Sequence, residues 1–368
     1  VCRVTVSSAY TPCFKFACNL RADYHALHAR IMVCGALALA LSTGVAIFAG
    51  ASETPRRPAG SGVPTYPIDL FVTWAGPGGG DVRSRYNGEL PVLLSTADAY
   101  APWFRFIWVA VNPDVLASAS AISLAKAHSR VRFVDRCAFM PPGSCPTFNG
   151  FAVAANSYRL RNLSNHYVIA DDDIFIGRAV TPSTFFVDGK PRVWHTTPTW
   201  GEFKGHKFHP VYKNPRVFAN SGSLPRSSCP CPHFWYAQLR TEVQAVANTF
   251  PAYHAFMSSH KHRFSSTGDS TREGQDEDPF GVMSWWYASR NIGVVKLILP
   301  LRYTWWDETE MNPGGVAAAL RHRPVFINVN DHFSADPAKR VAQHKMFDRL
   351  SAGIVPTPEK KARLSVSQ

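Results

Sequence analysis

Three adjacent carboxylates, Asp171-Asp172-Asp173, lie between the apolar runs Tyr167–Ala170 and Ile174–Ile176, with Gly177 closing the stretch. Like charges at neighbouring positions repel one another and resist burial. A chain that sets them between two strand-like segments is expected to give them a cation. Alternate residues of a strand share a face, so Asp171 and Asp173 are the candidate ligands of Mg2+ or Mn2+. Such an oxygen-seeking ion can in turn hold a diphosphate. The plain alternative is a solvated acidic turn. Other side chains suit the same chemistry. His233 precedes a helical stretch, where free backbone N–H groups favour anions, and an imidazole there can take a proton from an attacking hydroxyl. With 14 histidines in the chain, an ordinary surface or packed histidine is the stronger reading from residue chemistry alone. Arg263, in the basic stretch His260–Phe264, matches phosphate geometry, and a solvated basic turn is an equal alternative. Asp278, Asn330 and Asp331 are ligand-type residues or simple caps.

These residues need elements to hold them. Ile68–Trp74 reads as a core strand and runs into the glycine-rich loop Ala75–Asp81, where a backbone can approach a phosphate closely. Helical spacing follows at Leu90, Leu93, Leu94, Ala97 and Tyr100. Strands are expected at 106–111 and 131–134, and helices over 114–128 and 148–161. The strand before the aspartates comes next. This alternation predicts an α/β domain with a mostly parallel central sheet flanked by helices. Ligands of such sheets sit at the carboxyl ends of the strands, which is where the aspartates and the Gly76–Asp81 loop fall. Further on, the spacing predicts one helix from His233 through Trp235, Leu239, Val243, Val246 and Phe250. It predicts a second helix through Phe280, Met283, Trp286 and Tyr287, and a strand over 324–331.

The chain has 368 residues and a formal net charge of +13. That balance suits anionic partners. No zinc-finger or RNA-recognition spacing is present, so no nucleic-acid partner is expected. Of the eight cysteines, Cys137 and Cys145 flank a short Pro/Gly loop that suits a local disulfide, with two free thiols as the alternative. Residues 1–30 form a polar leader. Residues 31–51 carry no charge and are long enough for a bilayer-spanning helix. Basic residues on the N-terminal side predict a single-pass type II anchor with the bulk of the chain lumenal, in the Golgi or another secretory-pathway membrane. A cleaved signal peptide is the rival. Residues 52–66 read as a Pro/Gly/Ser-rich stem, 67–360 as the catalytic domain and 361–368 as a charged tail. Asn162-Leu163-Ser164 is a candidate N-glycosylation acceptor.

Four separated blocks, in order, resemble the Stealth family of hexose-1-phosphate transferases. Ile68–Trp74 resembles the opening block. Glu89-Leu90, Tyr100–Trp103, Pro146–Phe148 and Asp171–Gly177 resemble the second. Pro232-His233, Phe250-Pro251, Arg263-Phe264 and Glu277-Asp278 resemble the third, and Phe326–Asp331 with Pro356–Pro358 the fourth. The resemblance implies a nucleotide-sugar-transferase-like fold. It also implies transfer of a sugar 1-phosphate from a nucleotide-diphosphate sugar to a hydroxyl of a glycan or glycoprotein, with release of a nucleoside monophosphate. Asp172, Asp173, His233 and Arg263 become the expected catalytic set, with the divalent ion on the acidic pair. Asp69, Trp74, Gly76, Asp81, Asp278, Asn330 and Asp331 become the expected nucleotide-sugar contacts. Some positions depart from the family pattern: Pro91 replaces an arginine, and Asn149, Ala154 and Asn156 replace a serine, a glutamate and a histidine. Two rivals remain, a metal-dependent glycosyltransferase of the same architecture and a catalytically dead carbohydrate-binding relative.

Overall fold

A computed structural model describes residues 65–76, 86–195, 235–262, 279–297, 304–305, 313–330 and 336–357. The chain divides into two units, 1–61 and 62–368, and every described residue belongs to the second. Among the described residues no helix is long and apolar enough to cross a membrane, and residues 31–51 lie outside them.

The first strand, β1 (Ile68–Thr73), is buried along nearly its whole length. Its apolar run, without polar alternation, is the pattern of a strand covered on both faces. Helix α1 (Glu89–Tyr100) leads to β2 (Ile107–Val111), and the short α2 (Pro113–Leu116) and α3 (Ala119–Ala127) lead to β3 (Val131–Asp135). The expected helix over 114–128 is thus two helices. The first ends at Leu116, and Ser118 caps the second by accepting from the Ala121 amide at 3.2 Å. After the Cys137–Cys145 disulfide comes α4 (Gly150–Asn156), shorter than the expected 148–161. Asn149 caps it, its Oδ1 accepting from the amides of Phe151 and Ala152.

The chain then crosses back to β4 (His166–Asp171), which pairs with β1 in parallel, Thr73 opposite Asp171. The central sheet has the order β3-β2-β1-β4-β8, where β8 is Tyr236–Leu239. Its first four strands are parallel, while β8 is antiparallel to β4. The fold is therefore α/β with a mostly parallel central sheet. Successive connections step outward on one side of β1 and then return to the other side. That reversal leaves a crevice outside the carboxyl ends of β1 and β4.

The second apolar run forms β5 (Ile174–Ile176), and later segments add β6 (Phe186–Val187) and β7 (Lys190–His195). The single helix expected from 233 is corrected: Tyr236–Leu239 is β8, and α5 (Arg240–Thr249) starts after it. Pairing with the open edge of β4 overrides helical spacing there, as tertiary context commonly does. Helix α6 (Pro251–Ser259) opens on a proline, which is favoured at a first helical position because its missing N–H would have no partner there. Helix α7 (Pro279–Ser289), β9 (Val294–Leu297), β10 (Thr304–Trp305), α8 (Pro313–His322), β11 (Phe326–Asn330) and α9 (Pro337–Ile354) complete the described elements. Two smaller sheets result, β10-β11-β5 and β6-β7-β9.

Candidate active site

The floor of the crevice is built from strand ends. Beyond β1, Trp74 is buried, packing against Tyr86 with ring centroids 5.3 Å apart. Gly76 follows at φ +85, and a Cβ there would lie 2.4 Å from Val115 Cγ2. Only glycine meets both demands. Beside this turn lies Arg136, 1% exposed. Its guanidinium donates to the carbonyls of Thr147 (2.9 Å), Ala110 (2.8 Å) and Trp74. Burial lowers its pKa to about 10, opposed by the charges of Asp114, Asp135 and Asp172, so it stays cationic at neutral pH.

The aspartates lie at the end of β4. That strand stops at Asp171 and β5 begins at Ile174, so Asp172 and Asp173 form the turn between two sheets. Strand alternation therefore does not extend through all three residues, which corrects the expected pairing of Asp171 and Asp173 on one strand face. The turn is pinned where the Val329 amide donates to the Asp173 carbonyl at 2.9 Å. Gly177 completes the stretch for a steric reason: a Cβ there would lie 2.2 Å from the Pro324 carbonyl oxygen.

The Asp173 residue as a whole is half-buried, but its Oδ1 is sealed from solvent and has no hydrogen-bond partner. Burial pushes its carboxyl well above the usual carboxylate range, and the negative charges of Asp171, Asp172 and Glu89 push it further. Glu89 begins α1 and is itself buried, accepting from the Asn87 amide at 2.7 Å and from Asn87 Nδ2 at 2.8 Å. Tyr86 is raised to about 12 by burial, by Glu89 and by Asp172. The crevice thus concentrates negative charge around one sealed carboxylate oxygen. Among the described residues, no three His, Cys, Asp or Glu side chains converge as a ready metal cage. Donor chemistry nonetheless fits a hard divalent ion, because every candidate ligand is an oxygen and one of them is orphaned.

A basic segment approaches from the side. The Phe148 amide donates to the Lys261 carbonyl at 2.7 Å, and Asn149 Nδ2 to the His260 carbonyl at 3.1 Å. The rings of Phe148 and His262 stack at 5.4 Å. The bend ahead of α4 therefore holds the stretch that runs into Arg263.

Of the sequence-derived candidates, Gly76 and Asp171–Asp173 meet at the crevice. Asp69 does not, and its expected substrate role is corrected. It lies near the start of β1, at the other end of the sheet, and is fully buried. It accepts from Arg105 (2.9 and 2.7 Å), Trp108 Nε1 (3.0 Å), the Ser164 amide (2.8 Å) and the Phe106 amide (3.2 Å). Trp74 is likewise a core residue rather than a ligand contact, since its ring is enclosed. Asn330 ends β11, paired with Trp305 of β10. Asn162 is exposed at φ +67 beyond the opposite end of the sheet, its carbonyl accepting from Arg105. His233, Arg263, Asp278, Asp81 and Asp331 lie outside the described residues. Ala154 is buried and lines a small apolar cavity with Ile169, Tyr253, His254 and Phe280. Asn156 is internal, donating to Ser258 Oγ and the Ala152 carbonyl. Sequence reasoning missed Glu89, Tyr86 and Arg136 as parts of the site. For Glu89 a signal existed, a lone acid opening an apolar helix. For the other two there was none.

Residues 83–193 match the model of Stealth protein CR2, conserved region 2. The exopolysaccharide phosphotransferase CpsY of Mycobacterium leprae is 35% identical over 112 residues, which cover 30% of this chain and 19% of that protein. The exopolysaccharide phosphotransferase cps2G of Lactiplantibacillus plantarum is 32% identical over 112 residues, covering 30% and 32%. The capsular polysaccharide phosphotransferase eps5J of Streptococcus thermophilus is 27% identical over 160 residues, covering 43% and 65%. The chain thus spans less than two thirds of the length of each. A solved galactosyltransferase, LgtC with donor and acceptor sugar analogues, superposes with a TM-score of 0.43 at 11% identity, over 80% of this chain and 99% of that one. A likeness that loose carries no argument.

Proposed function

We propose that this chain, whose residues 83–193 match Stealth protein CR2, is a sugar-1-phosphate transferase of the Stealth family and moves a hexose 1-phosphate from a nucleotide-diphosphate sugar to a glycan hydroxyl. N-acetylglucosamine 1-phosphate and mannose 1-phosphate are the leading candidates for the transferred group. The observation that carries the reading is the acidic turn at the switch point of the sheet, with the orphaned Oδ1 of Asp173 at its centre. A crevice this negative repels a diphosphate unless a cation intervenes. In the proposed reaction the acceptor oxygen attacks the sugar-bearing phosphorus. A new P–O bond forms, and the bond to the nucleoside monophosphate breaks. His233 takes the proton of the acceptor hydroxyl. Arg263 offsets charge on the transferring phosphoryl group, where positioning and electrostatics dominate the barrier. Asp172 and Asp173 would hold Mg2+ or Mn2+, which when bound supplies charge neutralisation at the diphosphate. The backbone turn at Gly76 is a close-approach surface for the donor.

The Cys137–Cys145 bridge supports an oxidising compartment. With residues 31–51 as a membrane anchor, the catalytic domain would face a secretory lumen, in the Golgi or a comparable organelle.

The decisive experiment incubates the protein with uridine and guanosine diphosphate sugars plus a glycan acceptor and identifies the nucleotide released. A nucleoside monophosphate is expected. Release of a diphosphate would replace this reading with a glycosyltransferase, and no release under any metal would replace it with a carbohydrate-binding relative.

A further inference from the structure

Arg136 has no place in the chemistry above, yet it is a guanidinium almost wholly sealed from solvent with no carboxylate hydrogen-bonded to it among the described residues. Burying a cation is costly, and a packed apolar side chain of similar size is commonly as stabilising. What the guanidinium does instead is collect three carbonyls from three segments. Trp74 lies at the exit of β1, Ala110 near the end of β2, and Thr147 in the bend between the disulfide and α4. The Trp74 carbonyl lies just past the end of β1 and the Thr147 carbonyl lies in an irregular bend, both outside the strand ladders. The Ala110 carbonyl also accepts from the Trp74 amide at 3.2 Å, which ties two of the segments directly.

Each segment leads to a part of the crevice. Trp74 runs into the Gly76 turn. Thr147 runs into the contacts that hold the basic segment, its own Oγ1 donating to the Lys261 carbonyl at 3.3 Å. The Asn149 amide in turn donates to Thr147 Oγ1 at 3.1 Å.

We propose that Arg136 is a positioning residue: its buried fork locks the donor-facing turn at Gly76 and the bend that carries His260–His262 into one rigid piece. This inference rests on the transferase reading for its kinetic consequence, but its structural content stands independently. Displacing a binding element by about an ångström is enough to cost on the order of 100-fold in rate. A clamp reaching both sides of the donor crevice is therefore a specific functional requirement.

The test uses Arg136→Met, which keeps much of the side-chain volume and loses all the donors, and Arg136→Lys, which keeps the charge and some donors. Both are assayed well below their melting temperatures. For Arg136→Met, kcat/KM for the nucleotide sugar is expected to fall about 30-fold or more, chiefly through a higher donor KM, while the acceptor KM changes less than about twofold. Arg136→Lys is expected to recover part of that loss. A merely structural role would instead reduce the active fraction and leave both KM values alone, and that result overturns the proposal. If the wild-type protein releases no nucleoside monophosphate from any donor, the functional reading fails. Amide exchange then decides the clamp: the Phe148 and Trp74 amides, each hydrogen-bonded in the fold, must exchange about tenfold faster in Arg136→Met than in wild type. Unchanged exchange at both sinks it. If Arg136→Met does not fold, Arg136→Lys carries both measurements.

Discussion

Asp173 carries the sharpest contradiction in the molecule, a carboxylate held where its charge is disfavoured. Its folded-state pKa is raised, so the native protein retains a proton there that the unfolded chain gives up. Stability of the ion-free protein should therefore fall as pH rises from about 4 through the raised value. Asp173→Asn removes that dependence. Its melting temperature without divalent ions should equal or exceed wild type at pH 7, while turnover falls by about 100-fold or more. Thermal melts at several pH values, alongside nucleotide-release assays, check both halves. A variant that is both less stable at pH 7 and fully active would refute the assignment. Asp69 predicts the opposite pattern. Asp69→Ala leaves Arg105 and Trp108 without their acceptor inside the fold, and should cost about 3 kcal/mol in urea unfolding with substrate KM values unchanged. From sequence the two aspartates looked alike, each an acid attached to an apolar strand. Nothing local distinguishes a strand's entry from its exit in terms of use. That difference comes from which partners, Arg105 or other carboxylates, the topology brings alongside.

At the scale of elements, β1, β2 and β4 were readable because largely apolar runs of that length have few other fates, and β3 because Val131, Phe133 and Val134 flank Arg132 as strand-forming residues. The acidic stretch was readable as a site because charge between such runs is expensive. The split at Ser118 was hidden because apolar spacing there suits one helix as well as two. The identity of β8 was hidden because its residues also fit a helical face, and only the vacant edge of β4 decides between them. The role of Gly177 was equally invisible, since it depends on a backbone segment far away in sequence. Gly177→Ala forces the Pro324 carbonyl away from β5 and should cost about 2 kcal/mol, as overpacking does. It should also lower turnover, because β5 is continuous with the aspartate turn. Chemical unfolding and the nucleotide-release assay measure the two effects separately.

For the whole molecule, the disulfide sets a condition on the site. Cys137 and Cys145 are 8 residues apart in sequence. Closing so small a loop contributes about 2.5 kcal/mol by restricting the unfolded chain. Replacing both cysteines by serine should lower stability by that order. It should also loosen the bend at Thr147–Asn149, so the donor KM should rise even where the protein remains folded. Equal KM values in the bridged and serine forms would show that the bridge stabilises without shaping the crevice.

The aspartate turn also has a mechanical consequence. The step from Asp171 to Ile174 carries the backbone from the central sheet to the smaller sheet of β10, β11 and β5. Far from it, Tyr100 at the end of α1 donates to the Ile354 carbonyl at the end of α9, and Arg323 grips the Gly353 carbonyl. Those contacts brace the layer behind the smaller sheet. Any sliding of one sheet past the other is thus delivered as torsion to the carboxylates themselves. The acidic turn would then act as a strain gauge between two plates, and in the proposed metal-binding role its grip on a cation would be set partly by bolts placed well outside the crevice.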